Sequence, residues 1–557
     1  MKLSTLLKAI DPLSVNAFKA QGAGHKAQGE KDEQQALCSV PNAEMPDLDM
    51  DSIHYRAQEV QPAGMFVAIE GQTADGHDFI HQALQQGAAA IVVQKEPPQS
   101  YLKECLAQAL RRLPIIIRVS DSRKAMADLA ARFYGNPSEN MTLIGITGTN
   151  GKTTVAYLIE SILLQAGLKT GVIGTINYRY ADKTFSNPMT TPESMDLQRI
   201  LAQMLSQGVT HVVMEASSHA MDLYRIRSCW FDVAVFTNLS QDHLDFHGDM
   251  QSYWSSKKRL FTEYLTRGPK KDRAVAVINC NDPRGKELAD RLPMPVVKIG
   301  SASDCEIKAE NYQCELIGTT GKAATPGGSF DFKTPLVGVH NVENILSAVG
   351  TGAALKIAPQ TVKAGIEALA AIPGRLESIE NSSGRFVYVD YAHTPDALEN
   401  AISALKEIAP ARIICVFGCG GDRDKKKRPL MGEIAARLCD LSVVTSDNPR
   451  SEDALAIIDQ ILPGTRQADG VEYSDRDLEA GFEKKGFVVE PDRQRAIELG
   501  IKSSRPDDAV LIAGKGHETY QILGATTIDF DDRQEARKAL NKLNANSSYR
   551  VISKESS

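Results

Sequence analysis

A basic excess, a membrane-length apolar run and any Cys-x-x-Cys pair are all missing from this chain. Its 557 residues carry 63 Lys and Arg against 70 Asp and Glu, a net charge of −7. The pI is near 6.0. Proteins that bind nucleic acid generally are usually basic, so no nucleic-acid partner is expected. No apolar run approaches the roughly 20 residues that span a bilayer. Met1 to Asp11 holds Lys2 and Lys8 but too little apolar sequence for a secretory signal. The expectation is no membrane association and a cytoplasmic location. The nine cysteines are scattered, only Cys415 and Cys419 lie close, and no Cys-x-x-Cys occurs. That pattern favours reduced thiols over a disulfide or zinc framework. Aromatics are sparse at 6%, but 42% hydrophobic and 24% charged residues are globular values.

The length exceeds one ordinary core, so two to four domains are expected. Residues 14–50 are polar and rich in Gly, Gln and Glu, which predicts a mobile insertion. Strand signals at Gly64 to Ile69 and Gly87 to Val93 place a small α/β domain over 1–138, bounded by Asn136-Pro-Ser138. A second unit, 139–373, alternates helical patterns with apolar runs at His211–Glu215, Phe231–Asn238 and Ala274–Asn279. Such alternation predicts a mostly parallel sheet with helices on both faces. Residues 313–335 predict a hairpin or loop elaboration. A third α/β unit, 374–557, has strand signals at Phe386–Asp390, Ile413–Phe417, Leu441–Thr445 and Ala509–Ala513, and a polar tail after Asn544 that is expected to fray.

One stretch says most about chemistry: Thr142-Leu-Ile-Gly-Ile-Thr-Gly-Thr-Asn-Gly-Lys-Thr-Thr154. An apolar strand leads into Gly145, Gly148 and Gly151, then Lys152 and Thr153. Helical spacing of Val155, Leu158, Ile159, Ile162 and Leu163 follows, with Gly167 as a stop. Strand, glycine loop and helix N-terminus make a phosphate cradle: backbone N–H groups face an anion, glycines admit it and the lysine adds charge. Thr153 offers a hydroxyl to phosphate-bound Mg²⁺. The common phosphate loop has a glycine where Ile146 stands; here the first glycine lies one residue earlier.

Other clusters sit at the carboxyl ends of predicted strands, where open α/β sheets bind ligands. Glu215 emerges beside the glycine loop, placed for Mg²⁺. Asp242-His-Leu-Asp-Phe-His247 follows the next strand, and His243 could ligate a metal or belong to a solvated loop. Lys257, taken alone, belongs to a basic cluster on a solvated helix face. Thr190-Thr-Pro192 precedes a helical pattern, with Thr191 as cap and Pro192 as first helical residue. His340-Asn-Val-Glu-Asn344 opens a helix, its asparagines serving as base readers or as a cap. Gly418-Cys-Gly-Gly-Asp-Arg-Asp-Lys-Lys-Lys-Arg428 is an anion-holding loop or a charged surface run. Asp447-Asn-Pro-Arg450 and Gly514-Lys-Gly-His-Glu518 could clamp a zwitterion between an arginine and a glutamate.

Taken in order, these segments resemble the muramyl-peptide ligases, ATP-dependent amide-forming enzymes of peptidoglycan precursor synthesis. The spacing Gly145-x-x-Gly-x-x-Gly-Lys-Thr153 is that family's own form, and the resemblance runs from about residue 51 to 543. Asp447-Asn-Pro-Arg450 resembles the branch that adds meso-2,6-diaminopimelate to UDP-N-acetylmuramoyl-L-alanyl-D-glutamate. The fold it implies has three domains: a small N-terminal α/β UDP-binding domain, a central P-loop ATPase domain and a C-terminal Rossmann-like α/β domain.

The resemblance implies site residues as well. Gly148, Thr149, Asn150, Gly151, Lys152, Thr153, Thr154, Asn341, Asn344, Arg375 and Asp390 would bind ATP. Thr190, Thr191, Ser218 and Arg225 would bind the UDP-muramoyl dipeptide. Arg423, Asp447, Asn448, Arg450, Gly514 and Glu518 would bind diaminopimelate. Lys152, Glu215, His243 and Lys257 would be catalytic. Thr153, Glu215, His243 and Lys257 would hold Mg²⁺, with Lys257 as N6-carboxylysine, a carbamate derived from CO2. Only small-molecule partners and a monomer are implied. The stretch Ser52-Ile-His-Tyr-Arg56 departs from the family's early Ser/Asp-Ser-Arg, leaving the uracil contacts open. Competing expectations are the same ligation with L-lysine, a folylpolyglutamate synthetase-like ligase, and an ATP-binding switch without ligation.

Overall fold

The computed structural model describes residues 1–20, 37–40, 47–71, 74–96, 114–408, 411–468, 470–479 and 481–555. Among these residues, three sheets organise the fold, of six, eight and seven strands, with a separate three-stranded sheet and a short hairpin. The three-domain α/β class is as expected. In the first sheet, Met65–Val67, Ala90–Val93 and Ile115–Arg118 run parallel. The predicted insertion at 14–50 begins differently: Ser14–Ala20 is a strand antiparallel to Ile115–Arg118 and to Leu37–Val40. Residues 21–36 and 41–46 lie outside the described residues.

The eight-stranded sheet centres on Thr142–Thr147, flanked in parallel by His211–Glu215 and Val233–Phe236. Period-two alternation sends Leu143 to one buried cluster and Ile144 and Ile146 to the other. Both faces are covered, so the strand reads as continuous apolar sequence. The helix Lys152–Gln165 packs on the Ile144 face through Val155, Leu158, Ile159 and Ile162. It ends at Ala166, followed by Gly167 with φ 71°.

Lys308–Glu315, Gly318–Thr325 and Gly328–Thr334 form the antiparallel three-stranded sheet, where a hairpin or loop was expected. The seven-stranded sheet has Phe386–Asp390, Ala509–Ala513, Ile413–Phe417 and Leu441–Val444 side by side in parallel. Ile413, Cys415 and Phe417 face one cluster, and Ile414 and Val416 the other. Every ligand-type segment of this domain therefore leaves the same edge of the sheet. The last helix spans Asp532–Glu555, past the point where fraying was expected. Among the described residues, no helix is long and apolar enough to cross a membrane.

Candidate active site

The register His211↔Thr142 through Glu215↔Ile146 puts the end of the glutamate strand beside the glycine loop. Gly148 has φ 145°, and an added Cβ would stand 1.9 Å from Thr237 Oγ1. Gly151, at φ 86°, caps the helix, and its Cβ would lie 2.2 Å from Asn344 Oδ1. Both glycines answer to backbone conformation and to close neighbours. Lys152 Nζ folds back onto the Gly148 and Thr149 carbonyls at 2.9 and 2.8 Å. Asn150 N donates to Asn238 Oδ1 at 3.0 Å.

Lys257 is not on a solvated face. It is 1% exposed, and Nζ donates to the same Gly148 carbonyl at 2.6 Å, over the Tyr253 ring at 4.3 Å. Burial, then the charge of Lys152, pushes its pKa well below the usual lysine value, against a smaller pull from Asp242. Burial also lowers Lys152, opposed by Glu215. Two cations on one carbonyl favour a neutral amine at Lys257.

Glu215 is 1% exposed. Its Oε1 accepts from Thr153 Oγ1 and Thr175 N, each at 3.0 Å, and its Oε2 accepts from Thr175 Oγ1 at 2.9 Å. His243 sits on the rim, 46% exposed and 3.4 Å from Asp242. Its ring meets His219 edge-on at 4.8 Å. Burial lowers its pKa, which favours the neutral ring. Among the described residues, no three His, Cys, Asp or Glu side chains gather closely enough to hold a metal alone.

Thr190 and Thr175 share a 3.1 Å hydroxyl contact. Thr191 is not a helix cap: the helix starts at Ser194 after Glu193, and Thr191 Oγ1 donates to the Glu215 carbonyl at 2.8 Å. Arg225 joins this group through the Thr191 carbonyl at 3.2 Å and Glu193 at 3.0 Å. Arg123 of the first domain reaches the other oxygen of Glu193 at 3.2 Å. Ser218 is turned away, buried with its hydroxyl 2.9 Å from His247 Nε2. Ser217, 3.3 Å from Thr191, is the serine beside the threonine pair.

A cavity of about 390 Å³ opens next to the loop, lined among others by Asn150, Gly151, Thr154, Asn341, Asn344 and Asp390. Asn344 Nδ2 donates to Asn341 Oδ1 at 2.9 Å, and Asn341 Nδ2 to the Val337 carbonyl at 2.8 Å. The third domain closes the far wall with Asn400, Ser403 and Glu407. Asp390 accepts from Leu376 N and Ala392 N at 2.7 and 2.8 Å. Burial pushes its carboxyl up, and Arg375 pulls it back. Arg375 crosses to the loop, its Nη2 3.3 Å from Thr153 Oγ1.

Farther along the third sheet, Asp447, Asn448 and Lys515 are buried. Asn448 Nδ2 donates to Glu518 Oε2 at 2.8 Å. Lys515 Nζ donates to the same oxygen at 3.0 Å and to Asn448 Oδ1 at 3.1 Å. Glu518 is therefore already paired with a lysine, a partner not anticipated although Lys515 lies inside the same motif. Gly514 faces Asp447, where a Cβ would come 2.6 Å from Oδ2. Arg450 Nη1 donates to the Gly421 carbonyl at 2.8 Å, and Arg423 is exposed, bonded only to the Asp422 carbonyl at 3.0 Å among its described hydrogen bonds. Gly420 lies between the two arginines, its Cβ position 2.9 Å from Arg450 Nη1 and 3.8 Å from Arg423 Cγ.

Comparison with known proteins gives this arrangement a family. The Mur ligase family catalytic domain matches residues 50–134, the Mur ligase middle domain 146–352 and the Mur ligase glutamate ligase domain 374–516. The UDP-N-acetylmuramoyl-L-alanyl-D-glutamate--2,6-diaminopimelate ligase of Geobacter metallireducens is 47% identical over 89% of this chain and 95% of its own. The enzyme of that name from Geobacillus thermodenitrificans is 41% identical over 90% and 95%. A solved structure of a ligase of that name superposes with a TM-score of 0.62 at 29% identity, covering 89% of this chain and 95% of the other. With all three domains matched in order and near-complete relatives at 47% and 41% identity, the chain belongs to the Mur ligase family.

Proposed function

We propose that the protein uses ATP to join meso-2,6-diaminopimelate to the D-glutamate of UDP-N-acetylmuramoyl-L-alanyl-D-glutamate, in peptidoglycan precursor synthesis. The observation that carries this is the contact of Arg375 with Thr153. It ties the domain bearing Asp447, Arg450 and Glu518 to the phosphate loop.

A D-glutamate carboxylate oxygen attacks the γ-phosphorus of ATP, the bond to the β-phosphate oxygen breaks, and ADP leaves. The diaminopimelate amine then attacks the acyl phosphate carbonyl, the C–O bond to phosphate breaks, and the amine loses a proton. Positioning and charge stabilisation supply most of the rate in such transfers. Lys152 and the loop N–H groups hold the β- and γ-phosphates. Asn341 and Asn344 face the adenine, and Arg375, beside Thr153, closes on the nucleotide from the third domain together with Asp390. Thr190, Thr191 and Arg225 hold the dipeptide substrate, with Ser217 as the serine beside the threonine pair.

The hydroxyl and carboxylate oxygens of Thr153 and Glu215 suit the hard Mg²⁺ ion, with His243 at the rim and Lys257 completing the set as its carbamate. When bound, that ion neutralises phosphate charge as the γ-phosphoryl group moves. The neutral amine favoured at Lys257 is the form that combines with CO2, releasing one proton and turning a buried cation site into an anionic one.

Arg423 and Arg450 read the distal carboxylate of diaminopimelate, which L-lysine lacks. A site that leaves such groups unpaired rejects the analogue by roughly 10⁴-fold. An ADP-release assay with the UDP-muramoyl dipeptide and either amine tests the reading. Equal or better use of L-lysine would overturn the acceptor, and no ADP with any amine would overturn ligation.

A further inference from the structure

The glycine-rich segment 418–428 is laced to the segment 447–452. Gly421 N donates to the Asn448 carbonyl at 2.9 Å, and an added Cβ on Gly421 would lie 1.8 Å from the Pro449 carbonyl oxygen. Ser451 Oγ donates to Asp422 Oδ1 at 2.6 Å. Asp422 and Arg450 both have φ 53°, a conformation that a non-glycine residue keeps only when its surroundings impose it.

Glu452 is the centre of that imposition. Its Oε1 accepts from Asp422 N at 2.7 Å and from Arg428 Nη2 at 2.9 Å. Its Oε2 accepts from Arg428 Nη1 at 3.0 Å and lies 3.2 Å from Lys425 Nζ. Arg428 is fully buried and also bonds Gln460 Oε1 at 2.8 Å and the Gly420 carbonyl at 3.2 Å. Arg428, followed by the Asp422 N–H, holds the Glu452 carboxyl down at about 2, so it stays ionised. Arg423 leaves one segment and Arg450 the other, on either side of Gly420.

We propose that the Glu452–Arg428 pair is a positioning clamp that sets the spacing of Arg423 and Arg450, and so the preference for an amine acceptor carrying a distal carboxylate. Neither residue needs to touch substrate. The clamp acts through the bidentate pair, whose fork geometry fixes direction as well as distance. This rests on diaminopimelate being the acceptor.

The test is steady-state kinetics on the full chain, with ATP and the UDP-muramoyl dipeptide saturating and each amine varied. Glu452→Gln should raise the KM for diaminopimelate about tenfold, the loss expected for weakening a charged hydrogen-bond pair. Its kcat, the KM for ATP and the kcat/KM for L-lysine should stay within about twofold. Ser451→Ala, which removes only the bond to Asp422, should move the KM for diaminopimelate the same way by a smaller factor. It serves as the test if Glu452→Gln does not fold. An unchanged diaminopimelate-to-lysine ratio in the variants, or a uniform fall in kcat with every substrate, would overturn the clamp. A wild-type protein with no preference for diaminopimelate would overturn the acceptor reading instead.

Discussion

Replacing Lys257 with alanine separates a structural lysine from a chemical one. The side chain is 1% exposed, and among the described residues its one hydrogen bond runs 2.6 Å to the Gly148 carbonyl. An ordinary lysine, with pKa about 10.4, is neutral in only about one molecule in 2,500 at pH 7. Burial and the nearby Lys152 lower that pKa, and each unit of lowering raises the neutral fraction about tenfold. The variant loses a hydrogen bond worth about 1 kcal/mol and the packing of a buried stem, at about 0.8 kcal/mol per methylene. It also sheds the cost of keeping an amine buried, so the change in stability should stay modest, on the order of 1–3 kcal/mol. Activity should fall much further. Removing one fixed charge from a transition-state cradle costs about 10²–10³ in kcat. Acetate or formate should restore part of the rate, and wild-type activity should drop in CO2-stripped buffer. Acidification should act in the same direction, since protonating the amine withdraws it from CO2. The assays are urea unfolding and ADP release. A variant retaining more than about a tenth of wild-type kcat, or a loss that no short carboxylate relieves, would refute the carbamate reasoning.

Three further outcomes are expected. Gly148→Ala puts a Cβ 1.9 Å from Thr237 Oγ1 at φ 145°; strain on the order of 1–3 kcal/mol should lower the Tm, and calorimetry should detect no ATP binding. Asp390→Asn leaves one accepting oxygen where two backbone N–H groups now each have their own; losing one such charged bond, at about 1.5–3 kcal/mol, should raise the KM for ATP roughly ten- to a hundredfold. Unchanged nucleotide affinity would remove Asp390 from the site. Arg450→Ala should raise the KM for diaminopimelate at least about tenfold while sparing L-lysine, as competition between the two amines would read directly.

Much of the scaffold could be read directly from the chain. His211–Glu215, Phe386–Asp390, Ile413–Phe417 and Ala509–Ala513 are strands at the bounds their sequence predicts. They are buried parallel strands, so both faces demand apolar or β-branched residues and the run has sharp ends. The glycine loop was equally plain, because Gly148 and Gly151 are required by local backbone as well as by packing. Thr191 was misread because a hydroxyl before a helical pattern looks like a cap, whereas here the Glu215 carbonyl, 24 residues away, takes it.

Sequence by itself therefore determined the three α/β domains, the phosphate loop and the family, since each depends on short-range periodicity or spacing. Only the tertiary structure decided the charge state of the site. Lys257 reaches a carbonyl 109 residues away, Lys515 neutralises Glu518 beside Asn448, and Arg428 is buried against Glu452. Whether a lysine or arginine is a solvated surface group, a desolvated amine or an internal clamp depends on burial and on partners from other strands. Local sequence carries no record of either.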